Sequence, residues 1–206
     1  MASTSTSTST SPAALATPSS SPSMQSLDAQ VLNSTNYYRR NFLASPLTWN
    51  DTLASYATKW AKGCIWKHSG GPYGENLAEG FPSTTLAVDA WANEEAIYNY
   101  AKQKFSETTG HFTQLVWQET TSVGCGLIQC DNSGAQGGIK GAYLVCEYSP
   151  RGNIVGEYVG NVKKPGMGAH GELGFGSGAA GAGRKGGVKS SMAALVVAWL
   201  FVVGVY

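Results

Sequence analysis

The stretch "GHFTQLVWQETTSVGCGLIQC", Gly110 to Cys130, changes its pattern part-way along. It opens as an apolar run led by a histidine and ends in short β-branched and aliphatic pieces broken by glycines around a cysteine. The change reads as a passage from helix into strand. A second segment of the same kind, "AYLVCEYSP" at 142–150, follows the glycine-rich turn "DNSGAQGGIKG" at 131–141, so the two form an antiparallel pair.

Upstream the pattern is helical. In "SLDAQVLNSTNYYRRNF", Leu27, Val31, Tyr38 and Phe42 recur at helical spacing. In "LTWNDTLASYATKWAKGCIWKHS", Asn50 is a good N-cap, and Leu53, Ala57, Trp60, Ala61 and Cys64 follow on one face, which puts His68 where that helix ends. "STTLAVDAWANEEA" gives a third, shorter helical segment that carries Glu94. Helices ahead of a late, short sheet place the chain in the α+β class, as a layered domain.

The 206 residues suffice for one domain with a sizeable core and some length left for tails. The hydrophobic share of 42% is globular, while 26 glycines and only 13% charged residues point to segments outside the fold. Charge is uneven: residues 1–160 carry 9 basic and 12 acidic groups, which argues against nucleic-acid binding by the core.

The ends have compositions of their own. Residues 1–25 are rich in Ser, Thr and Pro and suit a disordered or O-glycosylated stalk. No secretory leader is legible there, because "AALA" is too short and lacks a basic flank; a secreted protein would need one upstream of this start. Residues 161–191 form a glycine-rich tether, and "MAALVVAWLFVVGVY" at 192–206 is an uncharged apolar tail. With the polar spacer "RKGGVKSS" and the small residues Gly181, Ala182 and Gly183 before it, the tail reads as a glycolipid-anchor signal. Four cysteines, Cys64, Cys125, Cys130 and Cys146, lack C-x-x-C spacing and favour disulfides in an oxidising compartment; three pairings are open. Asn33 and Asn50 head glycosylation sequons, Asn50 with a competing role as a cap.

The histidine that opens the quoted stretch is His111. A histidine entering a buried segment is most often a hydrogen-bonded structural residue unless other groups converge on it. His68, Glu75 and Glu94 are the candidates: two imidazoles and two carboxylates suit a Zn²⁺-like ion or an acid/base pair. Their separations of 7, 19 and 17 match no helix-borne motif, so spacing leaves a metal site and a buried hydrogen-bond network equally open.

"HSGGPYGENLA" at 68–78, "WANEEAIYNY" at 91–100, "GHFTQLVW" at 110–117, "VGCG" at 123–126 and "YLVCEYSPRGN" at 143–153 together resemble the CAP superfamily: cysteine-rich secretory proteins, antigen 5 and pathogenesis-related 1. The pieces fall in the family's order over residues 26–160, with most likeness to pathogenesis-related 1 and the fungal secreted sterol-binding members. The resemblance implies an α-β-α sandwich with a three-stranded antiparallel sheet between helical layers. It implies a cleft tetrad of His68, Glu75, Glu94 and His111, with Zn²⁺ or Mg²⁺ as an accessory ion that lipid binding does not require. It implies disulfides Cys64–Cys130 and Cys125–Cys146.

In "YNYAKQKF", Tyr98, Tyr100 and Phe105 are similar to the aromatic pattern called the caveolin-binding motif, which in fungal members lies in a flexible loop contributing to sterol binding. Aromatics on a loop rich in Lys and Gln would form an apolar patch for a rigid ring system; ordinary packing against the helices is the bland alternative. Glu147 departs from the family pattern, which commonly has an amide residue there. The function these features imply is non-enzymatic: a secreted protein that binds sterols or other small hydrophobic molecules, for export or sequestration and in host interaction, with a host protein as a further partner and the membrane met only through the lipid anchor. The alternatives are a metal-dependent hydrolase or protease built on the tetrad, and a wall-attached structural or adhesive protein.

Overall fold

The computed structural model describes Met1 and residues 25–131 and 138–166. The Ser/Thr-rich stretch, the apolar tail read as a glycolipid-anchor signal, most of the tether and the middle of the 131–141 turn lie outside the described residues.

The chain runs α1 (Leu27–Asn41), β1 (Thr48–Trp49), α2 (Asp51–Ala61), β2 (Gly74–Glu79), α3 (Thr84–Asn93), α4 (Gly110–Leu115), β3 (Ser122–Asp131), β4 (Lys140–Ser149) and α5 (Tyr158–Asn161). Short 3₁₀ turns occupy Glu94–Ile97 and Glu107–Thr109. The caps explain the helix starts. Asn50 accepts hydrogen bonds from the amides of Thr52 and Leu53, and the Ser83 hydroxyl accepts from Leu86 N, satisfying donors that a helix cannot pair internally.

One sheet in the order β1-β3-β4-β2 lies between helical layers, which is the expected sandwich. It has four strands where three were expected. The addition is β1, whose two residues pair parallel with Ser122 and Val123 before the chain turns into α2. β3 and β4 pair antiparallel along their whole length, with Cys125 opposite Cys146; β2 pairs antiparallel with β4 and forms the other edge.

The two faces hold separate cores. Val31, Val88, Trp91, Phe112, Trp117, Cys125, Leu144, Cys146 and Tyr148 pack between the sheet and α1, α3 and α4. Ala57, Ala61, Leu77, Cys130, Tyr143 and Val145 pack beneath α2. The glycines of "VGCG" now have a cause: a Cβ on Gly124 would strike α2 at Asn50 O and Ala54 N, and one on Gly126 would strike the Thr58 backbone. α2 therefore lies directly against β3, as glycine alone allows.

Arg39, fully buried on α1, binds this frame together. Its guanidinium donates to the carbonyls of Ser45 (2.7 Å), Leu115 (3.0 Å), Trp117 (2.8 Å) and Thr120 (2.9 Å). Leu115 ends α4, so a cation closes the carbonyl end of the helix that His111 begins.

Candidate functional site: two histidine–glutamate pairs at the sheet edge

His68 lies on the segment between α2 and β2. Past α2 the chain turns sharply at Cys64, whose φ of +49° lies in the left-handed region. It is pinned by the Cys64–Cys130 disulfide, by Trp60 Nε1 donating to Lys67 O (2.8 Å) and by Tyr143 Oη donating to Ile65 O (3.1 Å). This delivers the His68 ring to Glu75 on β2, with Nδ1 2.6 Å from Oε1. The glutamate side chain is 6% exposed and the histidine 42%, so the carboxylate is the fixed partner and the ring faces water. Ser69 N also donates to Glu75, at 3.0 Å to Oε1. Burial pushes the Glu75 carboxyl up, but bonds from His68, Glu147 and Ser69 outweigh it and hold it below the usual carboxylate range.

Sequence reading took "GGPYGENLA" as glycine-rich backbone bordering a cleft. Its second half is strand β2, and register sets Glu75 directly opposite Glu147 on β4. Glu147 is 0% exposed, and as a carboxylate neither of its oxygens has a donor. Burial, and then the Glu75 carboxylate beside it, push its carboxyl up to about 9. It is therefore a neutral acid at physiological pH, and its O–H can donate to Glu75. A lone charged residue inside the apolar run "YLVCEY" was the signal in the sequence, while its partner emerges only from register.

His111 is the second residue of α4. Its Nδ1 lies 2.6 Å from Glu94 Oε1, and the other oxygen of Glu94 accepts from Phe112 N at 3.0 Å. Glu94 sits at the end of α3, where the helix tightens into the 3₁₀ turn, rather than within the third helix as expected. The His111 ring stacks on Trp91, with centroids 6.1 Å apart and planes 17° apart, and Trp91 Nε1 donates to Leu77 O on the open edge of β2. Asn76, next to Glu75, donates from Nδ2 to His111 O at 3.1 Å. Successive residues of β2 thus serve the two pairs, Glu75 holding the His68 ring and Asn76 the His111 backbone. Neither Asn76, although it lies inside the 68–78 motif, nor Arg39 was singled out from the sequence, because both act through backbone carbonyls.

The tetrad is built as two pairs. Among the described residues no three His, Cys, Asp or Glu side chains form a metal-holding group. With Nδ1 of each imidazole engaged by a carboxylate, Nε2 is the nitrogen left to a ligand, the arrangement in which carboxylate–histidine pairs present imidazole to a metal.

The expected aromatic patch is only partly at the surface. Tyr98 is in the core, edge-on to Phe112 and Tyr100. Tyr100 is half-buried and donates to Glu95 Oε1 at 3.0 Å. Phe105 is 41% exposed and Ile97, just ahead of the segment, 66%. Asn33 is exposed on α1, and Asn50 uses its side-chain oxygen as the α2 cap. The disulfides are Cys64–Cys130 and Cys125–Cys146.

Residues 32–148 match the model of the cysteine-rich secretory protein family, CAP. The chain belongs to the CAP family. Among the curated relatives of this CAP chain, protein PRY2 of Saccharomyces cerevisiae is 52% identical over 120 residues, covering 56% of this chain and 34% of that protein. "Repressed by EFG1 protein 1" of Candida albicans is 41% identical, covering 62% of this chain and 47% of that protein. Pathogenesis-related protein 1 of Arabidopsis thaliana is 41% identical, covering 54% and 69%. The CAP chain thus spans between a third and a half of the length of the two fungal relatives. The crystal structure of NaASP2 with Zn²⁺ shares the fold, with a TM-score of 0.51 at 24% identity over 68% of this chain and 85% of that one. So does Na-ASP-1, with a TM-score of 0.54 at 20% identity over 76% and 47%.

Proposed function

We propose that this CAP protein is an extracellular, non-enzymatic carrier of sterols or other small hydrophobic molecules, acting in their export or sequestration and at the boundary with a host. Its domain spans residues 26–160, with the Ser/Thr-rich stretch as a stalk and a glycolipid anchor, added as the 192–206 tail is removed, rooting it at the cell wall or surface. The observation that supports this reading most is the segment from Tyr98 to Phe105, which lies outside helix and strand and, with Ile97 at the end of the preceding 3₁₀ turn, puts two large apolar side chains into water beside a buried aromatic cluster. Affinity would come from burying that apolar surface, at about 25 cal/mol per Å².

A divalent ion held through His68 and His111 is accessory in this reading. The presence of Zn²⁺ with NaASP2 favours zinc among such ions. The His–Glu pairs would also suit a metal-dependent hydrolase, with Glu75 or Glu94 as base. Against that, the four cysteines are spent in disulfides and the Ser69 hydroxyl accepts from Gly71 N, with His68 bonded to Glu75 instead.

Equilibrium binding of a fluorescent sterol to the full chain tests the reading. Phe105→Ala should weaken binding roughly tenfold, the loss of one well-buried aromatic contact, while His111→Ala should leave it unchanged. Equal binding by the Phe105 variant would remove the segment from the site, and peptide turnover abolished by His111→Ala would establish the hydrolase instead.

A further inference from the structure

Beneath the 98–105 segment, three aromatic side chains carry polar atoms that no protein group bonds: Tyr98 Oη, Tyr158 Oη and Trp117 Nε1. All three residues are more than nine-tenths buried, with exposures of 7%, 1% and 0%. Folded proteins seldom leave such groups without a partner, and phenol and indole N–H groups usually find one when buried.

The three share one region of the core. Tyr158 meets Trp117 edge-on, with ring centroids 5.1 Å apart. Burial, and then the neighbouring Tyr98 phenol, push the Tyr158 hydroxyl above its ordinary range, so the two hydroxyls are within electrostatic reach of each other. The Thr113 hydroxyl beside Tyr158 gives its proton to Asn153 Oδ1 at 2.6 Å, and Asn153 Nδ2 is spent on Gly110 O at 2.9 Å, so Thr113 has no proton left for Tyr158 and only its oxygen faces the phenol. Above the cluster lies the segment whose edges are Ile97 and Phe105. Within it, Asn99 accepts from the amides of Ala101 and Lys102; its side-chain bonds beyond that turn are Tyr100 to Glu95 and Gln103 Nε2 to Val162 O at 3.2 Å, and Gln103 is strained in the left-handed region at a φ of +41°.

Resting on the lipid-binding reading above, we infer that Tyr98, Tyr158 and Trp117 form the polar end of the ligand site and read a single hydroxyl on an otherwise apolar ligand, the chemistry of a sterol alcohol. A hydroxyl oxygen accepts two hydrogen bonds and donates one. That matches an indole N–H, which only donates, and two phenols, which do either. A fatty carboxylate suits the site less, since it would bring a buried charge and the guanidinium of this core, Arg39, is already spent on four carbonyls. The ligand's apolar body would lie against Phe105 and Ile97, with the 98–105 segment shifting to admit the hydroxyl.

The test uses the full chain, a fluorescent sterol with a free ring hydroxyl, and the same ring system without that hydroxyl as competitor. Wild type is compared with Tyr98→Phe, Tyr158→Phe and the double variant, which keep both rings. Each single variant should bind the sterol alcohol roughly tenfold more weakly. The deoxy competitor should bind wild type and variants alike, and melting temperatures should change little, because neither deleted hydroxyl makes a hydrogen bond of ordinary geometry in the protein. Equal affinity of wild type and double variant for the sterol alcohol overturns this inference alone, and so does a clear drop in melting temperature. No sterol binding by wild type overturns the lipid-binding reading and this one with it.

Discussion

Glu147 shows how one side chain sets a pH dependence. Its carboxyl titrates at about 9 in the fold against the ordinary 4.5, because it is buried and faces the Glu75 carboxylate. Folding therefore takes up a proton on Glu147. The stabilisation is fully present below about pH 4.5 and is lost as pH rises towards 9. Glu75 has the opposite sign: its carboxyl is held low, so its contribution is present above the usual carboxylate range and is lost as pH falls. Glu147→Gln keeps the shape and a donor towards Glu75 and has no proton to lose. Urea unfolding should find it more stable than wild type at pH 8, by up to about 5 kcal/mol, with the advantage gone at pH 4. Equal slopes of stability against pH for the two proteins would mean that Glu147 is ionised in the fold. At this scale the sequence supplied the participants without their pairing. His68, Glu75, Glu94 and His111 stand at separations that fit no single helix, so only a likeness to known proteins grouped them, and Asn76 and Arg39 act on backbone carbonyls that a sequence does not display.

Elements were more legible than residues, where they carry their own periodicity. α1 and α2 were readable from apolar spacing, α2 also from the Asn50 cap, and β3 and β4 from β-rich runs about a glycine turn. β2 escaped because glycines and a proline crowd its approach, and an edge strand pairs on one side only. β1, at two residues, has no period to read. What fixes the spacing of elements is often the absence of a side chain. Gly126→Ala would set a Cβ 2.5 Å from Thr58 Cα, and α2 cannot retreat without opening the core under it. The cost should reach or exceed the roughly 1–3 kcal/mol of ordinary overpacking. Gly160→Ala in α5 meets nothing within 4 Å and should be neutral or add up to about 1 kcal/mol. Thermal melting of the two variants checks both, and a Gly126 variant as stable as wild type would show that α2 does not need its close seat on β3.

Across the molecule, the candidate site joins two layers that are stabilised separately. His111 and Glu94 belong to the layer of α1, α3 and α4, whose core is large and which Arg39 clamps through four hydrogen bonds. His68 belongs to the α2 layer, whose core is smaller, and it stands on the segment that Cys64–Cys130 closes across 66 residues. Cys125–Cys146 spans 21 residues and joins strands already paired in register. Loop-closure entropy favours the longer link by about 1 kcal/mol, within a typical 2–4 kcal/mol for each. The larger difference is local. Cys64→Ser with Cys130→Ser loosens the turn that carries His68, whose other ties include the bonds at Lys67 O, Ile65 O and Cys64 O, whereas Cys125→Ala with Cys146→Ala disturbs a strand pair that the sheet still holds. Hydrogen exchange should therefore quicken over residues 62–73 in the first variant and stay slow over α4, and the proposed zinc binding should weaken roughly tenfold or more as one of its two proposed imidazole ligands loses its place. The second variant should lose global stability with both pairs intact. Equal zinc affinity in the first variant and wild type would mean that β2 alone positions His68 through Glu75, and that the disulfide serves the fold rather than the site.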